Sequence, residues 1–136
     1  MRRLILIIAL AGCVAGVSGA GAKTSRAANA AQCRGTDRTI PKQVRFARGR
    51  TTAVIKDTVR LCTSHEYHLR ARAGQTMSVH LATGRRTSFS LTNSAGAVEG
   101  ADGVKDWEGE LVESGEYVIV IGTDATAAYT LEVTIR

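Results

Sequence analysis

Proline is almost absent from this sequence; Pro41 is the single copy. Proline is therefore no obstacle to helices, yet no segment beyond residue 22 spaces its apolar residues 3.6 apart, which excludes a helical domain. Aromatic residues are few as well, at 4%. All six (Phe46, Tyr67, Phe89, Trp107, Tyr117 and Tyr129) fall at positions that read as strand, mostly facing a core. None is left over for an exposed stacking platform, which argues against sugar strips and single-stranded nucleic acid. A phosphate-binding loop, a dinucleotide fingerprint and a G-x-S-x-G turn are all missing, and no cofactor is expected. Nothing aims a histidine at a serine, so the sequence reads as a non-enzyme.

The charge is moderate. Eighteen Lys+Arg against 12 Asp+Glu give +6. A leader of about 22 residues would take Arg2 and Arg3 with it and no acid. The remaining 16 basic residues against 12 acidic ones leave +4. That suits a negative surface, but a soluble protein carries it without any partner. At 136 residues there is room for one domain.

The leader is what the sequence shows first. Met1-Arg-Arg is a short positive region, Leu4 to Leu10 is apolar throughout, and small residues follow to Ala22. Residues 1–22 therefore read as an export signal, too short for a stable membrane span. Two processing sites compete. Ala20-Gly21-Ala22 is an A-x-A site before Lys23; Leu10-Ala-Gly-Cys13 resembles a lipobox, which would make Cys13 a lipidated N-terminus. The expected location is periplasmic or secreted, with a membrane contact only through a lipid on Cys13. Export leaves two of the three cysteines, Cys33 and Cys62, in the mature chain under either reading. In an oxidising compartment two cysteines in a small domain most often pair. Such a bridge would be worth about 3–4 kcal/mol on the loop-entropy model.

Residues 23–39 read as a flexible arm and 40–136 as an all-β antiparallel sandwich, jelly-roll-like, of about eight short strands. Pro41 precedes a first strand, Gln43 to Phe46. Thr51 to Leu61 is a second, with Lys56-Asp57 suggesting a bulge. Alternation then puts Tyr67, Leu69 and Ala71 inside, followed by Met77, Val79 and Leu81, then Phe89 and Leu91. Asn93 to Asp106, rich in Gly and Ala, reads as a long loop with a mobile tip. Trp107 to Val112 alternates, with Trp107 expected between the sheets as the core's anchor. Tyr117 to Ile121 is apolar on both faces, as in a central strand packed on both sides. Tyr129, Leu131, Val133 and Ile135 close the chain.

Several clusters invite a functional reading. His65 and His68 point to opposite faces of one strand, whereas His68 and His80 share the outward parity. The last two would adjoin only if residues 73–75 make a hairpin, and with no third ligand no metal site is expected. His68, Arg70 and Arg72, with Arg85 and Arg86, read either as a basic patch or as a solvated face. The strand pattern breaks at Glu113-Ser-Gly-Glu116, as a tight turn would, and this turn is the leading candidate for a functional loop. Glu108, Glu110, Glu113 and Glu116 cluster near it.

The runs Val44-Arg-Phe-Ala-Arg-Gly49, Thr51-Thr-Ala53, Tyr67-His-Leu-Arg-Ala-Arg-Ala-Gly-Gln75 and Val79-His-Leu81 resemble the periplasmic inhibitors of g-type lysozyme. Ser114-Gly-Glu-Tyr117 and Tyr129 to Ile135 continue the match, which spans roughly residues 43–136. The resemblance implies a small exported β-sandwich that plugs the cleft of a lysozyme, a protein partner. It implies that Ser114, Gly115 and Tyr117 form the inhibitory loop, with Ser114 and the Tyr117 hydroxyl bonding cleft carboxylates. The chain departs from the family pattern after Ile121, where Gly122 to Ala127 is short and lacks the basic residues of a longer loop. An alternative resemblance is to non-inhibitory accessory β-sandwiches at the C-termini of secreted bacterial peptidases, where such a Gly is a turn and such a Tyr is core.

Overall fold

A computed structural model of the chain describes Cys33 and residues 37–84 and 86–136. The expected export signal, residues 1–22 with Cys13, lies outside the described residues, as do most of the expected arm and Arg85. Among the described residues nine strands follow one another: β1 (Arg38–Gln43), β2 (Thr52–Val59), β3 (Thr63–Ala71), β4 (Thr76–Thr83), β5 (Thr87–Asn93), β6 (Gly96–Ala97), β7 (Asp106–Glu110), β8 (Gly115–Thr123) and β9 (Ala127–Ile135). They form a sandwich of two sheets, ordered β1-β3-β8-β5-β6 and β2-β9-β4-β7. Alternation dictates the core. Tyr67, Leu69, Met77, Val79, Leu81, Phe89, Leu91, Tyr117, Ile119, Ile121, Leu131 and Val133 are buried, all at the inward positions of their strands.

The chain changes sheet at nearly every turn. From β2 to β5 it alternates between the sheets, and β7, β8 and β9 do the same. Residues 72–75 and 111–114 are therefore corners between sheets and close no hairpin. His68 and His80 lie on different sheets, both outside. β8 is central, between β3 and β5, as its apolar run implies. Its outward Val118 and Val120 are half-buried, and among the described residues no further layer of strands covers them, unlike the expected packing on both sides.

Several expectations need correction. The first strand is Arg38–Gln43, ahead of the predicted Gln43 to Phe46, and it pairs parallel to β3. Residues before a proline are pushed to extended backbone, and an edge strand tolerates the missing N–H. Phe46 thus lies beyond the strand, half-buried against the core. No bulge occurs at Lys56-Asp57; the β2–β9 register runs unbroken from Thr52↔Thr134 to Val59↔Ala127.

Asn93 to Asp106 is an ordered strap. Ala101 is fully buried, Val104 exchanges hydrogen bonds of 2.8 and 3.0 Å with Phe89, and Leu81 N donates to Lys105 O. Its glycines supply left-handed corners at Gly100 and Gly103, and its one buried alanine is Ala101. Trp107 is half-buried on the edge strand β7 and not at the centre of the core. Its ring covers Gly109, where a Cβ would stand 2.7 Å from the indole, and its Nε1 donates to Glu99 O at 3.1 Å. A disulfide joins Cys33 to Cys62, 29 residues apart, and so ties the arm to the β2–β3 turn.

Candidate functional site

The turn at Ser114 is built by two corners lying side by side. Gly74 N donates to Leu111 O and Leu111 N to Gln75 O, both at 2.8 Å. Ala73 N donates to Ser114 Oγ at 2.8 Å. The hydroxyl oxygen is thus engaged, while its proton remains free to donate outward. Gly115 is exposed at φ +150°, a backbone that side chains other than glycine's rarely adopt. Tyr117 is 1% exposed, and its hydroxyl donates to Glu113 O at 2.8 Å. Its ring is core and its hydroxyl holds the turn from within, so it differs from Ser114 and Gly115, which face solvent.

On one flank of the turn lies a groove of about 310 Å³, floored by Trp107, Val98 and Leu111 and edged by Glu99, Glu110 and Glu113. Val112, 83% exposed, stands at its mouth. The expected acidic cluster is therefore divided. Glu110 and Glu113 line this groove, Glu108 is further down β7, and Glu116 lies on the other sheet against His68, 3.2 Å away.

The arginines that read as a basic patch or a solvated face are divided too. Arg70 and Arg72 sit at the Ser114 end, whereas Arg86 O accepts from Asp124 N at the opposite end. Nine residues of β8 separate those ends, roughly 30 Å of strand. The short loop after Ile121 therefore cannot share one compact contact with Ser114.

His68 stands between Glu66 and Glu116, and His80 against Asp106. Among the described residues no three His, Cys, Asp or Glu side chains gather as a metal site would require.

A second polar assembly, inside the sandwich, was not legible in the sequence. Asp57 takes an inward position on β2 and is ion-paired with Lys42 of β1. Tyr67 donates to Asp57 at 3.4 Å, Tyr67 and Tyr129 are bonded at 2.7 Å, and His65 Nδ1 meets the Tyr129 hydroxyl at 2.6 Å. A carboxylate only accepts, so the donors run one way: His65 to Tyr129, to Tyr67, to Asp57. Burial lowers the His65 pKa, and the Lys42 charge adds to it against the pull of Asp57. Burial would raise Asp57, but the Lys42 hydrogen bond, the Thr58 N–H and the Lys42 charge together hold it below its ordinary value. Both phenols are pushed up, chiefly by burial. Four strands from both sheets meet in this chain, which reads as a structural clasp. The signal available in the sequence was the polar residue at an inward parity, Asp57.

No family model and no curated sequence matches the chain. Solved structures do. The *Aeromonas hydrophila* PliG, a periplasmic inhibitor of g-type lysozyme, is 28% identical, with a TM-score of 0.65 over 74% of this chain and 99% of its own. The *Salmonella* Typhimurium PliG, at 16% identity, superposes with a TM-score of 0.58 over 71% of this chain and 97% of its own. A mutant PliG from *Escherichia coli* gives 17% and 0.56 over the same shares. The last two establish the fold alone. These neighbours are inhibitors rather than enzymes, and nothing in the site points to catalysis. In fold, and in sequence to the *Aeromonas* protein, the chain is similar to the periplasmic inhibitors of g-type lysozyme.

Proposed function

We propose that the protein is a periplasmic inhibitor of a g-type lysozyme that occludes the enzyme's cleft with the sandwich end bearing Ser114 and Gly115. The observation that carries this reading is the similarity to the *Aeromonas* inhibitor over 99% of that protein's length. The exposed turn adds support: Ser114 has a free hydroxyl proton and Gly115 no side chain to obstruct close approach. Tyr117 is assigned a positioning role, holding the Glu113 carbonyl from the core side. The chain is taken to be exported, starting at Lys23 or at lipidated Cys13; intact mass of envelope material separates the two, and a mass retaining Met1 refutes both. The test of function is inhibition of purified g-, i- and c-type lysozymes. Inhibition of the g-type enzyme is expected. No inhibition of any class at micromolar concentration would overturn the reading in favour of a non-inhibitory accessory sandwich.

A further inference from the structure

Two adjoining hollows open at the Ser114 end, and neither shares a residue with the Trp107 groove. One, of about 450 Å³, is lined by Arg70, Ala71, Arg72, Gln75 and Gly115. The other, of about 300 Å³, is lined by Phe46, Arg50, Thr51, Arg70, Gln75 and Ile135. Arg70 and Gln75 are common to both, so the two form one concave surface carrying three guanidinium groups.

Among the described residues nothing neutralises those groups. None of Arg50, Arg70 and Arg72 makes an ion pair. Glu116 is the register partner of Arg70, yet its carboxylate is turned to His68. The remaining polar groups are biased the same way. Gln75 Oε1 accepts from Arg72 N at 2.7 Å, which leaves the amide N–H groups for a ligand. Ser114 Oγ accepts from Ala73 N, which leaves its proton. Each oxygen already accepts one backbone N–H, while none of the donors of Gln75 and Ser114 is engaged.

A concave surface of free donors and uncompensated positive charge fits a group that only accepts hydrogen bonds and is negative. Guanidinium forks match a carboxylate in two parallel bonds. The apolar floor of Phe46, Ala71 and Ile135 strengthens the attraction by lowering the local dielectric.

We propose that this surface is a carboxylate-accepting docking site, with Arg70 and Arg72 as its main contacts. Resting on the inhibitor reading, it meets the acidic side chains that glycoside hydrolases carry in their clefts. It also orients the protein. The arginines flank Ser114 and Gly115 on one side and the Glu99, Glu110 and Glu113 groove lies on the other, so charge complementarity fixes one way of docking.

The test is the double variant Arg70→Gln/Arg72→Gln, with Arg60→Gln, outside both hollows, as the control. The double variant should inhibit g-type lysozyme about ten- to a hundred-fold less tightly, with a weaker dependence on salt and an unchanged melting temperature. Arg60→Gln should inhibit like the wild type. Equal inhibition by the double variant overturns the site and leaves the inhibitor reading standing. If the wild type inhibits no lysozyme, that reading fails, and NMR titration with a polyglutamate peptide decides the site separately. Saturable shifts at the Gly115 amide that vanish in the double variant uphold a carboxylate site; no shift in the wild type overturns it.

Discussion

The molecule holds two polar assemblies that use similar chemistry to opposite ends. In the clasp, Lys42, Asp57, Tyr67, Tyr129 and His65 satisfy one another. Among the described residues no buried side-chain nitrogen or oxygen lacks a partner. At the Ser114 end each acceptor takes one backbone N–H and the donors are left over, because solvent satisfies them until a partner does. A polar group inside must be paired to be tolerated, and removing its partner costs stability. A polar group left half-satisfied at the surface costs little and is available for binding.

Substitutions can break or sharpen that contrast. The largest loss of stability should come from Cys33→Ala, which opens a bridge between residues 29 apart. About 3–4 kcal/mol is expected from loop entropy, read by urea denaturation, and an unchanged midpoint would show that the bridge contributes nothing. Lysozyme inhibition should persist while the chain is folded, because the bridge ties down the opposite end.

Asp57→Ala comes next. It leaves Lys42 and Tyr67 without their acceptor, and the Lys42–Asp57 pair is only partly buried, at 30% exposure on each side. A loss of about 2–3 kcal/mol is expected, with inhibition intact at temperatures where the variant is folded. A loss of inhibition without a loss of stability would contradict the division between clasp and binding end.

The pH dependence tests the same clasp. His65 has a folded pKa below its ordinary 6.5. As pH falls through 6.5 the unfolded chain takes up a proton that the folded chain refuses, so stability declines from there down to the folded pKa. The slope from this one group is at most about 1.4 kcal/mol per pH unit. Asp57 has a lowered folded pKa, so its contribution is present above 3.8 and is lost as pH falls through the folded value. Thermal melts between pH 7.5 and 5 should show the first decline, and His65→Gln should flatten it.

Tyr117→Phe removes one hydroxyl, whose bond to Glu113 O holds the turn. A stability loss of about 1 kcal/mol is expected, with weaker inhibition only as far as the turn loosens. A large binding defect at full stability would instead give the hydroxyl a direct contact with the partner. The smallest change in stability belongs to Ser114→Ala, about 0.5 kcal/mol or less, because water can replace the exposed contact with Ala73 N. Its inhibition constant should still rise about tenfold if the hydroxyl donates to a charged acceptor, and parity with the wild type would remove Ser114 from the contact.

The candidate site was legible in part. Ser114-Gly115 could be read because a turn residue pair interrupts two alternating strands, a local signal. The partner corner at Ala73 to Gln75 could be read as a turn, but nothing in it announced that its N–H would reach Ser114. The size of Trp107 and its parity with Leu111 point to the centre of the core, and the edge position of β7 puts it elsewhere.

By itself the sequence determined that strands form and which side chains each turns inward, because a period of two is set by the residues of one strand. It also pointed to the pair Cys33 and Cys62, which the structure joins. Only the tertiary structure decided which strands are neighbours, since a turn looks the same locally whether the chain folds back or crosses to the other sheet. That choice separates His68 from His80, splits the arginines and glutamates between two ends and two flanks, and converts Asp57 from an apparent bulge into the terminus of a buried hydrogen-bond chain. Contacts between residues far apart in sequence depend on this choice, and no local pattern encodes it.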